Sequence, residues 1–177
     1  MTNTRTTTRN QCLSPFGELK SKWTITLYYK LDYYSVLVRM SVNVDHLKQR
    51  INEILESKGE LNRLTSKSYA QLSREEKYAI RYHIIVLAES LGSICVQIAT
   101  EEFKHIPQSY SECFKLMEEK GICDCAKDLT AIMRLRNLLT HRYWTIDDAQ
   151  IYGSIKNNFK AIDKFLRSVK EKYAISL

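Results

Sequence analysis

From Val44 onward the apolar residues of this chain return every three or four positions, in helix-length stretches separated by capping signals. That period admits helices and excludes strands, because a half-buried strand alternates with a period of two. Val44, Leu47, Ile51, Ile54 and Leu55 mark a first amphipathic helix, which Lys58-Gly59 is expected to end. Ser73 with Glu76 has the capping-box spacing, and predicts a long helix to about Phe103 with Tyr78, Tyr82, Ile85, Leu91, Ile94, Cys95 and Ile98 on its apolar faces. Ile106-Pro107 separates it from a short helix opened by Ser109 and Glu112 and closed at Lys120-Gly121. A fourth helix runs from about Cys125 towards His141. Thr145 with Asp148 is expected to cap a fifth, striped by Ile151, Ile155, Phe159, Ile162, Phe165, Leu166 and Val169. Only 2 prolines and 5 glycines interrupt 177 residues, so the expected fold is all-α, an up-and-down bundle of four or five helices.

Residues 1–41 differ. A Thr- and Arg-rich start leads to Ser14-Pro15-Phe16-Gly17 and then to WTITLYYKLDYYSVLV, a β-branched and aromatic run that reads as a strand or hairpin with nothing obvious to pair with. The division expected is therefore an N-terminal extension, 1–41, disordered or preceding a start at Met40, and a helical domain, 42–177. The extension carries six Lys/Arg against two Asp/Glu, or +4 of the formal charge of +7, which leaves the helical part only mildly basic. No stretch approaches the roughly 18 uninterrupted apolar residues of a bilayer span, and the N-terminus has no apolar core of a secretory signal. A cytoplasmic protein without a membrane partner is expected. The five cysteines (Cys12, Cys95, Cys113, Cys123, Cys125) lack the spacing of a disulfide framework and fit a reducing compartment. Cys123-Asp124-Cys125 offers half of a zinc site with no second half in view, so no metal or other cofactor is expected.

The fourth helix carries a misplaced charge. On a wheel with Leu129 at zero, Ile132, Met133, Leu139 and Thr140 fall within about 80 degrees, and Arg136 lies near the middle of their stripe. A guanidinium there needs an anion or a second subunit. His141, five residues on, is rotated by about 140 degrees, so the two side chains converge only if the helix ends near Thr140 or if another subunit supplies one of them. If instead the helix continues, Arg136 and Tyr143 share a face. An imidazole and a guanidinium at one locus suit RNA phosphodiester chemistry. The first can move a proton to or from the ribose and leaving oxygens, and the second can hold the phosphate as charge develops. Asn137 adds a neutral donor and acceptor. The plainer alternative pairs Arg136 with a carboxylate such as Glu89 and leaves His141 as a helix-end residue favoured by the dipole.

Arg136-Asn137-Leu138-Leu139-Thr140-His141-Arg142-Tyr143 resembles the R-x4-H-x-Y signature of HepT-like proteins, the HEPN-domain toxins of HEPN/MNT toxin-antitoxin pairs. RYHIIVLAESLGSICVQIA (81–99), PQSYSECFKLMEEKGI (107–122) and YWTIDDAQIYGSI (143–155) resemble family segments in the same order, a likeness spanning about 43–172 and absent from the first 41 residues. The resemblance implies a HEPN bundle that forms a homodimer, with the two signature segments facing each other across a cleft. It implies a metal-independent endoribonuclease with Arg136 and His141 as catalytic residues and RNA as substrate. It also implies a minimal nucleotidyltransferase as antitoxin, which transfers AMP to the signature tyrosine, here Tyr143. Arg142 and Trp144 flank the signature and are candidates for phosphate and base contact. HEPN folds also serve as non-catalytic adaptors that bind a nucleotidyltransferase or nucleotides, and that alternative stands beside the first.

Overall fold

The structure is a computed structural model that describes residues 42–141 and 147–176, with the side chains of 156–158 left aside. The expected strand over WTITLYYKLDYYSVLV, together with Arg142, Tyr143, Trp144 and Thr145, lies outside the described residues. Within them are five α-helices and no strand: α1 Val44–Leu64, α2 Arg74–Glu101, α3 Tyr110–Glu119, α4 Ala126–His141 and α5 Asp148–Lys172, with a 3-10 turn at Tyr69–Gln71.

Side-chain pairs give the helix directions. Asn43 with Glu101, His46 with Gln97 and Glu53 with Ser90 set α1 antiparallel to α2. Lys58 with Asp163 and Tyr152 with the Thr65 carbonyl set α5 antiparallel to α1. Arg136 with Glu89 ties α4 to α2, and Lys164 with Asp124 ties α5 to the loop just before α4. Helices α1, α2, α4 and α5 thus form a square in which neighbours alternate, the up-and-down arrangement expected, and α3 packs across α2 and α4. Leu61, Ile84, Leu87, Ile132, Ile155 and Ile162 converge from all four long helices on its centre.

Several helix ends depart from expectation. α1 runs past Gly59 because its stripe continues through Ser57, Leu61 and Leu64, all buried, while Gly59 sits on the exposed side. A mid-helix glycine costs about 1 kcal/mol, less than the burial of two leucines returns. Asp147, not Thr145, caps α5, its carboxylate accepting from the Ala149 N–H. At α3 the box is half made. Ser109 Oγ accepts from the Glu112 N–H, but Glu112 reaches back to the Gln108 N–H and to His105. Gly121, at φ +71°, ends α3 in a Schellman arrangement, with the Ile122 N–H donating to the Met117 carbonyl. The tyrosines assigned to the apolar faces of α2 lie outside the core: Tyr78 is 50% exposed and Tyr82 62%, the former under the Arg74 guanidinium.

α2 is the one described helix long and apolar enough to cross a membrane, and most of that apolar window is buried by the other helices of the bundle. Its Gly92 lies under the ring of Tyr110, the first residue of α3. A Cβ added there would stand 2.5 Å from Tyr110 Cε1, so the absence of a side chain makes room for the ring. Cys95, Cys113, Cys123 and Cys125 are buried free thiols.

Candidate functional site at the end of α4

α4 continues unbroken through His141, which is exposed. Thr140 does not end it. Its hydroxyl donates back to the carbonyls of Arg136 (3.1 Å) and Asn137 (3.2 Å) and so completes the last turn. The 140-degree separation of Arg136 and His141 therefore holds within one chain, and the geometry divides into two sides.

On the α2 side, Arg136 is half-buried and its fork is already engaged. One terminal nitrogen pairs with Glu89 Oε1, and Nη1 donates to Asn137 Oδ1 at 2.9 Å. The partner anticipated in the plainer reading is thus present. Nε–H, however, is buried without an acceptor among the described residues, and an unmade hydrogen bond of this kind costs about 1–3 kcal/mol. Glu89 also lines a groove of about 620 Å³ with Asn43, His46, Arg50, Gln97 and Tyr110. The histidine in that groove is occupied. His46 Nδ1 lies 2.5 Å from Gln97 Oε1, and Nε2 accepts from Arg50 Nε at 3.3 Å, so both ring nitrogens are engaged. Arg50 also holds Glu53 at 2.8 Å, and Ser90 donates to the same carboxylate at 2.7 Å. Burial pushes the Glu53 carboxyl up, but the hydrogen bonds from Ser90 and Arg50 outweigh it and hold the group below its ordinary range.

On the other side, His141 lines a depression of about 480 Å³ with Arg134, Asn137 and Leu138. Asn137 is the link between the two sides, since its side-chain oxygen Oδ1 accepts from Arg136 while the residue lines the His141 depression. Of the residues expected to act, Arg136 and Asn137 are in contact, Asn137 and His141 share a depression, and Arg136 and His141 do not meet in one chain. Tyr143 lies outside the described residues. Sequence reasoning passed over Arg134, although its distance of seven residues from His141 was a signal for a shared face. It also passed over His46 and Arg50, which a turn-spaced pair on α1 marks only weakly.

A family model described as "Ribonuclease HepT-like" matches residues 28–169, most of the chain. The chain belongs to the HepT-like ribonuclease family. The match begins at residue 28 and so reaches into the stretch that the motifs leave outside. Among solved structures, a chain of the crystal structure of the toxin-antitoxin MntA-HpeT mutant superimposes with a TM-score of 0.64 at 17% identity, covering 72% of this chain and 98% of that one. YutE of Bacillus subtilis, described as a cytosolic protein of unknown function, superimposes with a TM-score of 0.64 at 16% identity, covering 74% and 90%. At such identities the likeness is one of fold, and this chain shares the HEPN bundle. Comparison with curated protein sequences finds no significant match.

Proposed function

We propose that this HepT-like chain is the toxin of a HEPN/MNT pair, a cytoplasmic, metal-independent endoribonuclease whose site is completed across a homodimer. The observation that carries the reading is the unbroken end of α4. Arg136 and His141 stand on different sides of one helix, so a site using both draws Arg136 from one protomer and His141 from its partner, with Asn137 between them. In that site the 2'-oxygen of the RNA attacks phosphorus and the bond to the 5'-oxygen breaks. The 2'-oxygen gives up its proton and the leaving 5'-oxygen gains one, leaving a 2',3'-cyclic phosphate and a 5'-hydroxyl; the imidazole carries one of these two transfers and water the other. The guanidinium binds the phosphate and the negative charge that grows on it. No step in this scheme calls on a metal.

The partner in this reading is a minimal nucleotidyltransferase that acts as antitoxin. It moves AMP from ATP to the hydroxyl of Tyr143, releasing pyrophosphate. The phosphate added two positions after His141 then competes with RNA for the same cations. The division proposed for the chain is an extension, 1–41, ahead of the HEPN domain, 42–177.

Purified protein is expected to cleave RNA in the presence of EDTA, and His141→Ala to lose that cleavage by about 100-fold or more. Undiminished cleavage by the variant would remove His141 from the site. On coexpression with the nucleotidyltransferase, the mass of one AMP should appear on the wild-type chain and not on Tyr143→Phe; the same mass on both would displace Tyr143.

One observation favours the second reading, a non-catalytic adaptor for a nucleotidyltransferase. The Arg136 fork is already taken by Glu89 and Asn137. That reading predicts a stable complex with the nucleotidyltransferase and no RNA cleavage by the isolated chain.

A further inference from the structure

Three contiguous depressions run along the side of α4 that carries His141, and Arg134 lines every one of them. Two lie between α4 and α3, one at the start of α3 and one along its length, and the third ends at His141. Arg134 is exposed and makes no ion pair or hydrogen bond among the described residues, in contrast to Arg136 on the opposite side. Lys127 and Lys115, which line the far depression, are exposed and equally unpaired among the described residues.

The spacing is regular. Lys127, Arg134 and His141 are each seven residues apart, so successive members are rotated by only about 20 degrees and displaced by about 10 Å along the axis. Thr130 and Asn137 lie between them on the same face and add neutral hydrogen-bonding groups. The charge is one-sided where it matters. The two depressions nearest His141 are lined without any carboxylate. The far one holds Glu118 beside its two lysines and Arg134. Asp128, exposed on α4, is about 140 degrees from His141 on the wheel.

We infer that Arg134 binds the RNA phosphate next to His141, and that with Lys127 and Lys115 it forms a groove between α3 and α4 along which the RNA backbone lies. The inference rests on the ribonuclease reading for the identity of the ligand, and it assigns within each protomer a cation that shares a face with His141. Arg136 serves the phosphate from the other subunit, whereas Arg134 holds the strand on the histidine's own side.

The test uses the full chain and a short single-stranded RNA methylated at every 2'-oxygen, which can bind but cannot be cleaved through the 2'-hydroxyl. Arg134→Gln should weaken its binding about 3- to 10-fold and reduce the slope of log affinity against log salt by about 0.7, the share of one phosphate contact. Arg134→Lys should restore most of the binding, because a point charge suffices for a backbone phosphate. Arg167→Gln, which removes an exposed cation on α5, should change neither quantity. With cleavable RNA, Arg134→Gln should raise KM by a similar factor. Unchanged affinity and salt slope in Arg134→Gln, or no binding of the probe by the wild type, overturns the groove. Conversion of a dimer to a monomer by Arg134→Gln in sedimentation also overturns it, since the face would then be a contact between copies. If the wild type binds the probe through Arg134 but cleaves no RNA, the groove stands and the nuclease reading falls.

Discussion

Arg134 and Arg136 stand two positions apart and meet opposite environments. Two residues on a helix are a rotation of about 200 degrees, which puts Arg136 towards α2 and Glu89 and Arg134 in the open groove with His141. The wheel was enough to show that Arg136 needs a partner, and the Glu89 contact meets that need within the chain. It could not show which of two nearby arginines shares a surface with His141, because that depends on where α3 packs. Glu53 is a similar case of context deciding chemistry. Its folded-state pKa lies below the ordinary carboxyl value of 4.5, so its contribution to stability is complete above the unfolded carboxyl's range. That contribution fades as pH falls through the lower, folded value. Urea unfolding followed from neutral to acid pH should therefore show wild type losing stability towards Glu53→Gln as the solution is acidified. Parallel curves for the two proteins would mean that Ser90 and Arg50 do not hold the carboxylate as described.

Helix starts and cores were the most legible features, because capping residues and the apolar stripe act over a few neighbours. Ser73 and Ser109 cap α2 and α3 where their spacing with Glu76 and Glu112 predicts. Helix stops were less legible. Gly59 has the look of a terminator, yet tertiary burial of Leu61 and Leu64 carries α1 past it. Tyr78 and Tyr82 look apolar in a pattern, yet their positions on α2 face outward. Gly92 carries the opposite lesson, since nothing in its local sequence marks it as a contact point. Gly92→Ala gains helix propensity worth about 1 kcal/mol but drives a methyl into the Tyr110 ring. The expected outcome is a net loss of about 1–2 kcal/mol, read as a lower urea midpoint with an unchanged m value. A higher midpoint would show that Tyr110 moves aside freely.

The bundle as assembled explains why Arg136 and His141 lie apart within one chain. Four long helices alternate in direction around a common core, and α4 spends one face on that core, one edge on Glu89 and the remaining face on solvent. A single copy thus holds Arg136 against Glu89 and leaves His141 in an open depression. The fold was legible from period and caps alone. The separation of Arg136 and His141 was legible as a five-residue step on a helix wheel, and the composite site proposed from it depends on a surface that the chain's own sequence does not mark.

Mixing two inactive variants tests that central claim directly. In a two-fold dimer, one protomer with Arg136→Ala and one with His141→Ala leave one intact arginine and one intact histidine facing each other across the interface. Equal amounts of the two, unfolded and refolded together, should recover about one quarter of wild-type RNA cleavage, because about half the dimers are mixed and each has one whole site. Cleavage that stays at the level of the separate variants would contradict a site shared between subunits.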